Sequence, residues 1–206
     1  MDPKAPGALR DPAEVARRQE SWREDSHVSE LRDYVRTIER DGYKVPLFDP
    51  ADAGTLAGTV IVLEAPGTMA DATKGSGFIS VDNADQTARN CWRARNEVAL
   101  VEGVLHWNIV PWYLGVATKK PTAVQLADGA VRLRQLLDLL PNLETVVLCG
   151  EYAKEGYRSY VSRLFSGNGP DVIETWHPSP SSLNFGTRRA EFTAALRRAA
   201  VRSALP

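Results

Sequence analysis

Thr59-Val-Ile-Val-Leu63, followed at once by Glu64-Ala-Pro-Gly67, decides the fold of this chain. Four aliphatic residues in a row after Thr59 leave no polar face, so the stretch reads as a strand covered on both sides rather than one with a wet face. Pro66-Gly67 then breaks the strand with a turn. The same arrangement recurs outward from this point. Leu105–Val110 predicts a second strand, Thr145–Cys149 a third and Val172–Thr175 a fourth. Between and after them, amphipathic segments predict helices over Thr87–Val101, Thr122–Leu140, Glu151–Phe165 and Arg188–Ala204. Apolar strands alternating with helices predict a three-layer α/β/α fold around a four-stranded parallel sheet.

Upstream, Val15, Trp22, Val28, Leu31, Val35 and Ile38 recur at helical spacing among charged residues, with Asp11-Pro12 as cap and first turn. Residues 1–45 are therefore expected to form a tail and an amphipathic helical extension, with 1–11 disordered. Residues 46–206 are expected to form the α/β domain, with 43–58 as a loop.

Composition narrows the function classes. The chain has 206 residues, 43% hydrophobic and 25% charged, which suits a globular domain with an ordinary core. No apolar run approaches the roughly 20 residues a membrane span requires. Met1-Asp-Pro-Lys-Ala-Pro-Gly7 has no apolar segment of the secretory type. A cytoplasmic monomer that avoids membranes is the expectation. Two cysteines and three histidines, all scattered, predict neither a metal site nor a disulfide framework, and no cofactor is expected. A net charge of −1 does not mark a nucleic-acid binder, although Arg188, Arg189, Arg197, Arg198 and Arg202 face a single acid, Glu191, in the last helix.

In an open parallel sheet, ligands sit beyond the carboxyl ends of the strands. Three chemically suggestive segments fall there. Glu64 could orient a water or stabilise a cation, or be an exposed turn residue. Asn108, in Trp107-Asn-Ile-Val-Pro-Trp112, puts a group with both donor and acceptor among apolar neighbours and could read a base edge. His177, in Trp176-His-Pro-Ser-Pro180, has its direction fixed by prolines and could donate to an oxygen gaining charge. Phe78, in a glycine-containing loop, could stack on a base or plug the core beneath. Among Asp82, Asn83 and Asp85, at least one is expected to cap the next helix, with Asp82 and Asn83 as reserve candidates for site chemistry. His106 and Trp107 are expected to pack. The chain lacks a phosphate-binding Gly-Lys-Ser/Thr loop, a dinucleotide fingerprint and a nucleophilic serine elbow.

In this order the segments resemble the uracil-DNA glycosylase superfamily. Leu63-Glu-Ala-Pro-Gly67 is similar to the first motif of its thermostable branch, and His177-Pro-Ser-Pro180 to the second motif of the superfamily. The resemblance covers about Thr59 to Arg189. It implies cleavage of the N-glycosidic bond of uracil, or of hypoxanthine or xanthine, in DNA, with free base as product and an abasic site left for repair. It also implies a flipped-out nucleotide. By the same resemblance Phe78 stacks on the base and Asn108 bonds its polar edge. His177 donates to its carbonyl, Glu64 serves the water or the sugar cation, and backbone near Ala65 and Gly67 holds the base. Ser179, Ser181, Arg188 and Arg189 then contact phosphates. No lysine stands out as a Schiff-base nucleophile, so the reaction is expected to be monofunctional.

The chain departs from the pattern at four points. It lacks the four cysteines that hold an iron–sulfur cluster in the thermostable branch. Leu63 replaces the motif's first glycine. Gly67 stands where another branch has a thymine-blocking tyrosine. Ser181 and Ser182 follow the second motif where a duplex-wedging leucine is familiar, and Leu183 comes later. The competing expectation is a protein that binds nucleic acid or a nucleobase without cleaving it.

Overall fold

The computed structural model describes residues 6–115, 120–165 and 169–202. Four parallel strands form the main sheet in the order β4-β2-β5-β6. They are β2 (Thr59–Leu63), β4 (Val104–Asn108), β5 (Thr145–Cys149) and β6 (Asp171–Thr175). Two further strands of two residues each, β1 (Leu47–Phe48) and β3 (Phe78–Ile79), pair in parallel beside it. The helices are α1 (Pro12–Glu24), α2 (Ser29–Arg40), α3 (Gln86–Glu97), α4 (Ala123–Leu137), α5 (Glu151–Gly156), the one-turn α6 (Pro180–Leu183) and α7 (Arg188–Arg202). The three-layer α/β/α reading with a four-stranded parallel sheet is what the structure has. No helix among the described residues is long and apolar enough to cross a membrane.

Strand β2 holds the middle. It pairs with β4 along one edge, Leu63 opposite Asn108, and with β5 along the other, Val62 opposite Leu148. The chain leaves β2 toward one side through α3 and returns across it to the other through α4. The strand order therefore reverses at β2, and crevices form at the carboxyl ends of strands beside such a reversal. Side-chain alternation splits the core in two. Val60, Val62, Leu105, Trp107, Val146 and Leu148 pack with α2, α4 and α5 on one face. Ile61, Val104, Val147 and Cys149 pack with α3 and α7 on the other.

Helix ends follow local chemistry. Asp85 caps α3 by accepting from the Ala88 N–H at 2.9 Å, and Thr122 and Gln125 form a reciprocal capping box on α4. Helix α3 stops at Glu97, short of the expected Val101, because Ala99 turns into the left-handed region at φ 57°. The helix expected over 151–165 is α5 for six residues, then a π turn and a 3₁₀ turn. Gly129 lets α4 press on the chain after β4: a Cβ there would stand 2.1 Å from the Ile109 carbonyl oxygen.

The N-terminal segment shares the core of the sheet. Trp22, Val28, Leu31, Tyr34, Val35 and Ile38 belong to the same cluster as Trp107, and Phe48 stacks on Trp107 with ring centres 3.8 Å apart. The expected disordered tail is ordered from residue 6: Leu9 is buried and its N–H donates to the Asp82 carbonyl at 3.2 Å. Residues 1–5 of that tail lie outside the described residues.

Arg18 of α1 ties this segment to the loops around the cleft. Its guanidinium is fully buried. It donates to both oxygens of Asp49 at 2.5 and 2.6 Å, to Asp82 at 2.7 Å and to Glu14 at 2.8 Å. Removing one partner of a buried ionic set leaves uncompensated charge, which costs far more than losing a surface pair. Arg18→Met is expected to lower unfolding stability by about 3–5 kcal/mol in denaturant titrations. A change within about 0.5 kcal/mol, the usual range for surface substitutions, would contradict this role.

Candidate active site

Two adjoining cavities open at the carboxyl ends of β2, β4, β5 and β6. The inner one has a volume of about 360 Å³, and Asn108, His106, Cys91, Val81 and Ala88 are among its walls. The outer one, about 490 Å³, includes Glu64, Lys120, Trp176, Ser179, Ser181 and Arg188 among its lining residues. Ala65, Pro66, Gly67, Thr68 and His177 border both. The turn after β2 and the loop after β6 thus form the neck between a mostly apolar chamber and a polar mouth.

Asn108 ends β4 with its side chain on the face of the inner chamber. It is 3% exposed, and its amide has no hydrogen-bond partner among the described residues. The amide is not sealed in protein: it faces the chamber, where its donor and acceptor are open to whatever enters.

His177 is shaped by its own loop. The Ser179 backbone N–H donates to His177 Nδ1 at 3.2 Å. The neutral ring therefore carries its proton on Nε2. Burial, with the Lys120 charge adding to it, lowers the His177 pKa to about 4. The loop is held from α3, where the Asn90 amide donates to the Pro178 carbonyl at 2.7 Å. Gly150 makes room for it: at φ 90°, a Cβ there would lie 2.9 Å from His177 Cβ.

Glu64 meets a partner that the sequence did not single out. The Lys120 ammonium lies 2.9 and 3.1 Å from its two carboxylate oxygens. Lys120 is 60% exposed, so this ion pair is weak and easily exchanged. Residue type alone gave no signal for Lys120, which precedes Pro121 in a loop.

The other expected site residues divide. Ala65 and Gly67 border both cavities, and a Cβ on Gly67 would have nothing within 4 Å, so that wall is open. Phe78 is fully buried in β3, within the core cluster around Trp107, and is not among the lining residues of either cavity. Ser179 and Ser181 lie at the mouth with hydroxyl oxygens 3.1 Å apart. Arg188 lies there too, its guanidinium 4.0 Å from the Trp176 ring centre. Arg189 points back into the fold and donates to Asn90 at 3.1 Å and Asn184 at 3.2 Å. Leu183 is 2% exposed and cannot reach a duplex, whereas Phe185 nearby is 59% exposed. Of the reserve residues, Asp82 is taken by Arg18. Asn83 donates to the Phe78 carbonyl at 2.8 Å and accepts from Ser76 at 2.6 Å.

His106, expected only to pack, sits on the wall of the inner chamber. Its Nδ1 lies 2.7 Å from Asp52 Oδ2, which also accepts the His106 backbone N–H at 3.0 Å. Arg95 contacts the other Asp52 oxygen at 3.4 Å. Burial alone would depress the His106 pKa, but the Asp52 charge and hydrogen bond override it and raise it to about 9.

A family model described as the uracil DNA glycosylase superfamily matches residues 53–200. This chain belongs to that superfamily. The match spans the sheet, both cavities and α3 to α7, and with membership comes a glycosylase-type function acting on glycosyl bonds, with DNA binding and DNA repair as its general setting. No curated protein sequence matches the chain.

The two cavity histidines are expected to titrate on opposite sides of 6.5. ¹⁵N NMR of the imidazoles should show His177 neutral down to about pH 4 and His106 protonated up to about pH 9. By linkage, His177 withdraws stability as pH falls from 6.5 toward 4, because the unfolded chain takes up the proton first. His106 contributes stability that is full below 6.5 and lost as pH rises through 9. Both rings titrating near 6.5 would contradict these environments.

Proposed function

We propose that this protein hydrolyses the N-glycosidic bond of uracil, or of another deaminated base, in DNA and leaves an abasic site for base excision repair. The observation that carries the reading is the Asn108 amide, without a hydrogen-bond partner among the described residues, in a mostly apolar chamber whose neck carries a neutral, Nε2-protonated His177. A flat ring with adjacent carbonyl and N–H groups suits Asn108, which can donate and accept at once. A base stacked in a duplex turns its polar edge to its partner strand, so in this reading the nucleotide is flipped out to bring that edge to Asn108.

In this mechanism the C1′–N bond breaks toward an oxocarbenium-like sugar and the base leaves as an anion. His177 Nε2–H donates to the base carbonyl that gains charge. A donor already neutral and aimed needs no reorganisation at that moment, which is where electrostatic catalysis draws its strength. Glu64, at the mouth, stabilises the sugar cation and orients the water that adds to C1′. Lys120 balances Glu64 in the resting site and is free to turn to a phosphate when DNA binds. Water rather than an amine is the nucleophile, so the enzyme is monofunctional and works as a monomer, with every named group from one chain.

The mouth carries Lys74, Lys120 and Arg188 but also Glu64, Asp71 and Glu151. This balance argues for few phosphate contacts. With about three phosphates neutralised, the slope of log affinity against log salt should be about −3 or shallower. A slope of about −6 or steeper would point to a larger DNA footprint.

The enzymatic test uses oligonucleotides with one uracil, single-stranded and opposite guanine or adenine, followed by alkaline cleavage of abasic sites. Wild-type protein is expected to cut at uracil. His177→Ala and Asn108→Ala should each slow base release by about 10²–10³ while circular dichroism stays unchanged, the loss typical of removing one preorganised donor. Full activity in both variants would overturn the assigned chemistry. Saturable binding of the oligonucleotide with no abasic product from any deaminated base would support the alternative, a binding module that does not cleave.

A further inference from the structure

Asn108 is not alone on its face of β4. Successive strand residues point to opposite faces, so Asn108, His106 and Val104 share one side while Leu105 and Trp107 enter the core behind. His106 and Asn108 both line the inner chamber. His106 lies two residues further from the carboxyl end, which places it about 7 Å deeper at roughly 3.3 Å per residue. Its ring is fixed in orientation: Asp52 takes Nδ1–H, and Asp52 is itself held by Arg95 and by the His106 backbone N–H. Among the described residues the remaining nitrogen, Nε2, meets only Cys91 Sγ, at 3.6 Å. Sulfur is a weak acceptor, so this contact yields readily to a carbonyl oxygen.

We propose that His106 is a second base-reading residue, whose Nε2–H selects bases with a carbonyl oxygen at their inner edge, above all two-ring oxopurines such as hypoxanthine. This rests on the reading of the chamber as a base site. A one-ring base that engages Asn108 stops short of His106. A purine entering by the same neck carries its six-membered ring deeper. The open wall at Gly67 and the small side chains Ala65 and Ala88 leave width for the second ring. An exocyclic amino group in place of that carbonyl would set donor against donor, which costs far more than it would gain elsewhere. The charges facing the ring are Asp52 and Arg95, and from α3 the Cys91 thiol meets its Nε2. The Asp52 charge that keeps His106 protonated makes its hydrogen bond charge-assisted and stronger than a neutral one.

The test compares wild type with His106→Gln, which keeps a neutral donor, and Asp52→Asn, which keeps the ring but removes the charge that holds its proton. Single-turnover release of hypoxanthine and of uracil is measured on matched oligonucleotides. Both variants should lose about tenfold or more of the hypoxanthine rate relative to the uracil rate, the scale of one charge-assisted hydrogen bond. An unchanged ratio in folded variants, with base release otherwise intact, would overturn the role of His106 and leave the glycosylase reading standing. Absence of base release from every substrate by wild type would instead strike that reading. Because Asp52 and His106 are buried and either variant could fold poorly, a second measurement uses wild type alone. In ¹⁵N NMR, free hypoxanthine should shift His106 Nε2 and free adenine should not. A shift confined to His177, or equal shifts with both bases, would also overturn the proposal.

Discussion

Everything at the site depends on β2 being hydrogen-bonded along both edges. One strand with β4 on its left and β5 on its right fixes where Glu64 leaves the sheet, and puts it beside Asn108 through the Leu63–Asn108 register. The same pairing continues past the strands: the Ile109 N–H donates to Leu63 at 2.8 Å and the Val110 N–H to the Glu64 carbonyl at 3.1 Å. The turn on one side of the neck therefore leaves from a continued backbone ladder, and the loop on the other side is tied to α3 through Asn90. Geometry held in this way is the kind that preorganised donors need.

Two histidines of one cavity system sit in opposite charge states, and the cause is local in each case. Both are desolvated, which by itself favours the neutral ring. At His106 a buried carboxylate reverses the outcome. At His177 the charge that acts on the ring is the Lys120 ammonium, and it reinforces the outcome. In the proposed reaction this divides the labour. The neutral donor at the neck faces the carbonyl that gains charge as the bond breaks, while the charged donor at depth tells one base from another.

The parallel sheet was legible from the sequence because strands buried on both faces read as unbroken aliphatic runs, and β2 and β5 have the expected bounds. The cleft position followed from sheet topology alone. That Glu64 and Asn108 stand at strand termini on the cavity walls was also legible, since each is a polar residue set against an apolar run. What the sequence could not display was pairing across distance. Arg18 with Asp49 and Asp82, His106 with Asp52, and Lys120 with Glu64 join residues separated by 31 to 64 positions. Nothing in spacing or periodicity encodes such partners. For the same reason α1 and α2 read as an extension: their amphipathic pattern shows that one face is buried but not that Trp107 and Phe48 are what bury it. Phe78 shows the converse. Its glycine-containing loop left stacking on a base and plugging the core equally open, and pairing of β3 with β1 turns the ring into the core.

The central claim is that a base leaves the DNA stack and lodges between Asn108 and His177. The most direct test is a crystal structure of the His177→Ala protein, slowed in cleavage, with an oligonucleotide containing one uracil. The account predicts the uracil ring in the inner chamber, its polar edge within hydrogen-bond distance of the Asn108 amide and its sugar at the neck beside Glu64. A uracil left stacked in the strand, or DNA bound away from this crevice with the chamber empty, would contradict it.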